Sequence, residues 1–111
     1  MKLLSRAEEI ILITILKLED DAYGVSIREK IYEDTGSRWS FASIYTPLDN
    51  LKKKGFVEKR KGDPLPERGG KSKFYYRITP QGKEALIKLY RTHQKIWSKV
   101  PQIVPELEGG D

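Results

Sequence analysis

The chain has 111 residues, no cysteine, and a formal charge of +5 from 21 basic and 16 acidic side chains. That length fits one domain, and the missing cysteines exclude thiolate nucleophiles, disulfide frameworks and cysteine-ligated zinc. The longest apolar stretch, residues 10–16 with Thr14 inside it, is far short of the roughly 20 residues of a membrane span. With Glu8 and Glu9 beside it, only Lys2 and Arg6 before it and no small-residue cleavage site, it does not fit a signal peptide either. A cytoplasmic protein without membrane contact is expected. A chain of this size buries only about two-thirds of its unfolded surface, so an oligomeric interface would help it.

In chain order, Ser5-Arg6-Ala7-Glu8 is a capping box that starts a helix near Arg6, running to about Leu18. Its apolar residues (Ala7, Ile10, Ile11, Leu12, Ile13, Ile15, Leu16) nearly encircle it, so a second subunit is expected on the face the core does not cover. Glu8 and Glu9 are explained by capping and the helix dipole. A second helix over 25–34 should turn Val25, Ile27, Ile31 and Tyr32 inward, and Thr35-Gly36-Ser37 stops it. After Trp39, Ser40 caps a third helix with Ile44, Leu48 and Leu51 on one face and Gly55 as its left-handed end. Ala42, Ser43, Thr46, Asp49, Asn50 and Lys53 fall away from that face, and Pro47 predicts a kink or a late start. Two strands follow, 56–61 and 73–79, the second aromatic and β-branched, around a Pro/Gly-rich connector at 62–72 that should project. Tyr75 and Tyr76 alternate, one inward and one towards the projecting loop. Thr79-Pro80 opens a last helix with Leu86, Leu89/Tyr90, His93, Ile96/Trp97 and Val100 at heptad-like steps, suited to a partner helix. Pro101 and Pro105 should kink or end it, and residues 108–111 should fray.

The charge is concentrated. Residues 1–51 carry six basic and nine acidic side chains, a net −3; residues 52–77 carry ten and three, a net +7; residues 78–111 carry five and four, a net +1. Three helices, a hairpin with a projecting loop and a final helix make a mostly α winged helix-turn-helix, residues 1–79, followed by a dimerisation helix and tail, residues 80–111. The reading helix of such a unit needs small polar side chains at its front and basic ones flanking them to neutralise phosphates. Ser40, Ser43 and Thr46 have the first character; Lys53, Arg68, Lys71 and Lys73, within the +7 block, have the second.

Ala22-Tyr23-Gly24-Val25, residues 43–57 (SIYTPLDNLKKKGFV) and residues 67–79 (ERGGKSKFYYRIT) together resemble the PadR family of bacterial transcriptional regulators over roughly residues 3–90. The resemblance implies dimeric repressors that bind palindromic operators and release them on a signal. It places Tyr23 and Tyr45 near the DNA backbone and Gly69-Gly70-Lys71 in the wing; Tyr45 could instead be a partly buried tyrosine bonded to a backbone carbonyl. The short tail resembles members with a single C-terminal helix, some of which hold flat aromatic ligands between paired tryptophans at the dimer interface. Trp97-Ser98-Lys99-Val100 with Ile103 and Leu107 is similar to that segment. Gln94 and Pro101 stand where drug-binding relatives have an aromatic residue and an acid, which argues against cationic drugs. Trp97 is thus either an interface anchor or a stacking platform. Ile11, Ile15, Leu89, Ile96, Trp97 and Val100 are the candidates for the dimer interface and for a small aromatic ligand there.

The function expected is that of a double-stranded DNA-binding homodimer, a repressor reading an inverted repeat with half-sites about one duplex turn (~34 Å) apart. The alternative is a winged-helix module for protein–protein interaction, which would leave the +7 block without a purpose. His93, the single histidine, has no cysteine or nearby acid partner in the sequence and is expected on the seam or surface. No Ser/His/Asp set, phosphate-cradling glycine loop or histidine cluster is present, so no enzyme activity, cofactor or metal is expected.

Overall fold

The computed structural model describes residues 4–64 and 72–109. The chain runs α1 (Arg6–Leu18), a 3-10 turn (Glu19–Asp21), α2 (Gly24–Thr35), α3 (Phe41–Lys53), β1 (Val57–Pro64), β2 (Ser72–Ile78), α4 (Pro80–Ile96), a 3-10 turn (Val100–Gln102) and α5 (Val104–Gly109). Mostly helical with one antiparallel two-stranded hairpin, it has the architecture expected from the sequence.

Helices α1, α3 and α4 start where a side chain satisfies one of their orphan N–H groups. Ser5 accepts from the Glu8 N–H at 3.1 Å while the Glu8 carboxylate accepts from the Ser5 N–H at 2.7 Å. Ser40 Oγ accepts from the Ser43 N–H at 3.1 Å, and Thr79 Oγ1 from the Gly82 N–H at 3.0 Å, with Pro80 in the first helical position. At the far end of α3, Phe56 N–H bonds to Leu51 O at 2.9 Å and Gly55 N–H to Lys52 O at 3.0 Å. This paired closure requires the left-handed φ of +80° that Gly55 adopts.

Ile11, Leu12, Ile15, Ile27, Ile31, Ile44, Leu48 and Leu51 are fully buried and form the centre of the core. Phe56, Val57 and Tyr76 extend it to the hairpin, and Trp39, Ile78, Ala85 and Leu86 pack on its edge. Ile11 and Ile15, expected at a dimer surface, therefore belong to the chain's own core; the outward apolar residues of α1 are Ile13 and Leu16. Val25 and Tyr32, expected inward, are exposed, because the i, i+4 pair Ile27 and Ile31 defines the buried stripe of α2. Tyr32 instead lies beneath the Arg38 guanidinium, 4.2 Å from its ring centre. Helix α3 begins six residues before Pro47 and runs through it without a late start; Pro47 is buried.

In the hairpin Val57 pairs with Ile78 and Lys61 with Phe74, followed by a bulge before Pro64 and Ser72. The strands thus reach further along the wing than expected. A bridge between Tyr23 and Tyr75, with Tyr76 N–H on Ala22 O at 2.8 Å, adds the segment before α2 to the sheet edge. Tyr76 is the inward member of the tyrosine pair and Tyr75 packs edge-on against Tyr23, ring centres 5.6 Å apart. Gly82 sits against the Phe56 carbonyl and the Ile78 side chain, a space that a Cβ would fill, so α4 approaches the hairpin at the distance only glycine permits. Helix α4 stops at Ile96, and Lys99 at φ +71° turns the chain before Pro101. Pro105 lies in the first turn of α5.

His93 Nε2 is 3.0 Å from Glu9 Oε2, so the acid partner that local sequence lacked comes from α1. The Glu8 carboxylate, almost fully buried, receives both of its other bonds from Lys54 Nζ at 2.8 Å. Burial alone would raise its pKa, but the bonds from Lys54 and the Ser5 N–H outweigh that and hold it below the usual value of 4.5. A carboxyl depressed on folding contributes stability that is present above its unfolded pKa and is lost as the pH falls through the lower folded value. Glu8→Gln, which keeps the capping acceptor but loses the charge, should lower stability by about 1.5–3 kcal/mol at pH 7. The gap to the wild type should narrow below pH 4.5 in parallel denaturation curves.

Candidate nucleic-acid interface

Helix α3 presents two faces. Ile44, Pro47, Leu48 and Leu51 are buried, whereas Phe41, Ala42, Ser43, Tyr45, Thr46, Asp49, Asn50 and Lys53 are exposed. Ser40, Ser43 and Thr46 therefore lie on the solvent side as expected, with Ser40 Oγ and Ser43 Oγ also 2.9 Å from each other. Tyr45 is 43% exposed, and its hydroxyl rests on Gly24, where a Cβ would collide with it. It bonds to no backbone carbonyl among the described residues, so the alternative expected for it is not adopted.

Tyr23, Tyr45, Asp49, Lys59, Lys73 and Phe74 line one open concavity between α3, the start of α2 and the hairpin. Burial, with the Tyr45 phenol and the Asp49 carboxylate nearby, pushes the Tyr76 hydroxyl at its floor up to about 12, so it stays neutral. The cations around it rest on aromatic rings. Lys73 Nζ is 4.1 Å from the Tyr23 ring centre and Lys59 Nζ 4.5 Å from that of Phe74; the Arg60 guanidinium, 5.1 Å from the Tyr75 ring centre, lies in a separate depression with Glu19, Asp20 and Arg77. Such contacts stabilise by about 0.5–1 kcal/mol each at exposed sites. Those of Lys59 and Lys73 favour defined positions for otherwise flexible side chains beside the exposed face of α3.

Lys53 lies apart, in a second depression with Ser5, Glu8, Asn50 and Lys54. Arg68 and Lys71 fall outside the described residues. Lys59, Arg60 and Phe74 were legible in the sequence only as part of a basic block and an aromatic strand; the alternation that pairs them is a cross-strand property. Arg28 was not legible as a contributor. Its Nε donates to Trp39 O at 2.6 Å and its guanidinium lies 4.7 Å from the Phe41 ring centre.

Away from this surface, α1 exposes Ile13 and Leu16, and α4 with the tail exposes Ile87, Tyr90, Ile96, Trp97, Ile103 and Leu107. Of the expected interface residues, Ile96 (66%) and Trp97 (53%) are well exposed, and Leu89 and Val100 are half-buried. Among the described residues no cluster of three or more metal-ligating side chains occurs, and no helix is long and apolar enough to cross a membrane.

A three-helix head with a solvent-facing third helix, backed by an antiparallel hairpin, defines a winged helix-turn-helix protein. The chain belongs to the transcriptional regulator PadR-like family, which matches residues 12–88. That family comprises DNA-binding transcriptional regulators and not enzymes. Among solved structures, the chain is similar to a PadR-like transcriptional regulator from Bacillus cereus, with 27% identity over 94% of this chain and 92% of that one, at a TM-score of 0.67. It also shares its fold with a transcriptional regulator from Clostridium thermocellum (24% identity, 93% and 90% covered, TM-score 0.64). A PadR family transcriptional regulator from Eggerthella lenta is a third structural neighbour (20% identity, 86% and 80% covered, TM-score 0.68). No curated protein sequence matches the chain.

Gly24→Ala should push the Tyr45 ring out of its place while leaving the fold intact, since that ring can swing into solvent. A thermal midpoint within a few degrees of wild type, with clearly weaker binding to duplex DNA, is the expected pair of results.

Proposed function

We propose that the protein is a cytoplasmic, homodimeric transcriptional repressor that binds inverted-repeat operators. The observation that carries this reading is the junction of the small polar face of α3 with lysines fixed on aromatic rings along the adjoining hairpin. In a major groove the exposed front of α3 would meet base edges, and Tyr23, Lys59 and Lys73 would meet the flanking phosphates. Ser43 and Thr46 would add short hydrogen bonds, Tyr45 a backbone contact, and Arg68 and Lys71 would extend the phosphate contacts from the wing.

Residues 1–79 act in this reading as the DNA-binding head and residues 80–111 as the dimerisation element. Support for a dimer comes from shape and from apolar exposure. The radius of gyration is 16.7 Å, against about 13 Å for a globular chain of this length. The exposed apolar side chains of α1 and α4 are too many to be scattered surface residues. Pairing α4 with its copy would cover Ile96 and Trp97 and set two reading helices about 34 Å apart. A planar aromatic compound stacked on Trp97 at that face is the release signal in this scheme.

Mobility shifts with the protein's own upstream DNA, repeated across salt concentrations, test the reading. Lys59→Ala with Lys73→Ala removes four phosphate contacts per dimer, so it should weaken binding to all sequences and flatten the slope of log K against log salt by about 3.6. An unchanged slope removes the hairpin lysines from the interface, and the absence of any sequence-preferring shift points instead to a protein–protein module. Ile96→Glu with Trp97→Glu should give a folded monomer by sedimentation that no longer binds the full inverted repeat; a dimer at wild-type strength would place the two-fold elsewhere.

A further inference from the structure

Resting on the DNA-binding reading, the geometry points to Phe41 as a specificity-determining residue that recognises the C5-methyl group of thymine in each half-site. Phe41 is the first residue of α3, the end of a reading helix that approaches base edges. It is 41% exposed, yet its ring is not loose. Arg28, anchored by its bond to the Trp39 carbonyl, lies 4.7 Å from the ring centre, and Tyr45 stacks with it at 6.3 Å and 25°. A large apolar ring held in place and facing water is unfavourable unless a partner covers it.

The rest of the front of α3 narrows what that partner is. From residue 41 to residue 48 the helix carries no Arg, Lys, Asn or Gln, the side chains that make bidentate contacts with guanine or adenine. Ser40 and Ser43 have part of their hydrogen-bonding capacity committed to the cap and to each other. What remains at the leading edge is apolar: the Phe41 ring and the Ala42 methyl, both exposed. The major-groove feature that apolar surface can recognise is the thymine methyl, which cytosine, adenine and guanine lack. Phe41 therefore selects thymine by burial, with Arg28 and Tyr45 as its positioning residues.

Thymine-to-uracil replacement removes only that methyl and leaves every phosphate and hydrogen-bonding edge unchanged. The probe is a duplex recovered with the wild-type protein by selection from random-sequence DNA, with thymines in the half-site replaced by uracil one position at a time. At one position the wild type should bind about four-fold more weakly per methyl lost, with the salt slope unchanged. Phe41→Ala should bind the thymine and uracil duplexes equally, and Phe41→Leu, which keeps apolar bulk, should retain part of the difference and serve if the alanine variant is unstable. Equal wild-type affinity for every replacement, or discrimination that survives in both variants, overturns the assignment while leaving DNA binding intact. Failure to recover any duplex overturns both.

Discussion

A core of this size can close on one side of each helix only, and the rest of the molecule follows from which side that is. Ile11, Leu12 and Ile15 turn α1 inward, and Ile27, Ile31, Ile44, Leu48 and Leu51 meet them from α2 and α3. Once that centre is filled, the outer face of α3 is left mostly polar, with the rings of Phe41 and Tyr45 exposed on it. The opposite holds for α1 and α4, whose outer faces stay apolar at Ile13, Leu16, Ile87 and Tyr90 with nothing among the described residues to cover them. One burial constraint thus leaves a mostly polar surface on α3 and an apolar one on α1 and α4.

The buried carboxylate of Glu8 fixes how these pieces join. Its bonds to the Ser5 N–H and to Lys54 tie the start of α1 to the end of α3, beside the turn at Gly55. Thr79 closes the same region, donating to the Gly55 carbonyl at 2.7 Å while capping α4. Three helix ends are therefore fastened at one point, with Gly82 allowing α4 to lie directly on the hairpin. The His93–Glu9 contact continues that seam along α1. Rotation of α3 against α4 would break bonds at this junction, so the angle between these two helices is set within the chain.

Local signals were enough to place most elements. The capping box fixed α1 at residues 6–18, Ser40 and Gly55 bracketed α3, and Thr79-Pro80 opened α4, because each depends on side chains within four residues of the helix end. What depended on distant partners was not legible. An all-round apolar α1 could not reveal which side belonged to its own core, and so Ile11 and Ile15 were expected at the wrong surface. Gly62 and Pro64 read as a loop, although pairing resumes across a bulge. Glu9 and His93 are 84 positions apart, and Arg28, Phe41 and Tyr45 meet only after α2 and α3 pack. The concavity was half visible: Tyr23 and Tyr45 from the resemblance, Lys73 from the basic block, Lys59 and Phe74 only from the register.

The two-faced α3 also has an evolutionary consequence. Ala42, Ser43 and Thr46 are exposed, so replacing them leaves the hydrophobic centre untouched and stability nearly constant. Lineages can change what the outer face of this helix contacts without first acquiring compensating changes inside. Divergence of recognition and conservation of architecture are thereby uncoupled within thirteen residues of a single helix.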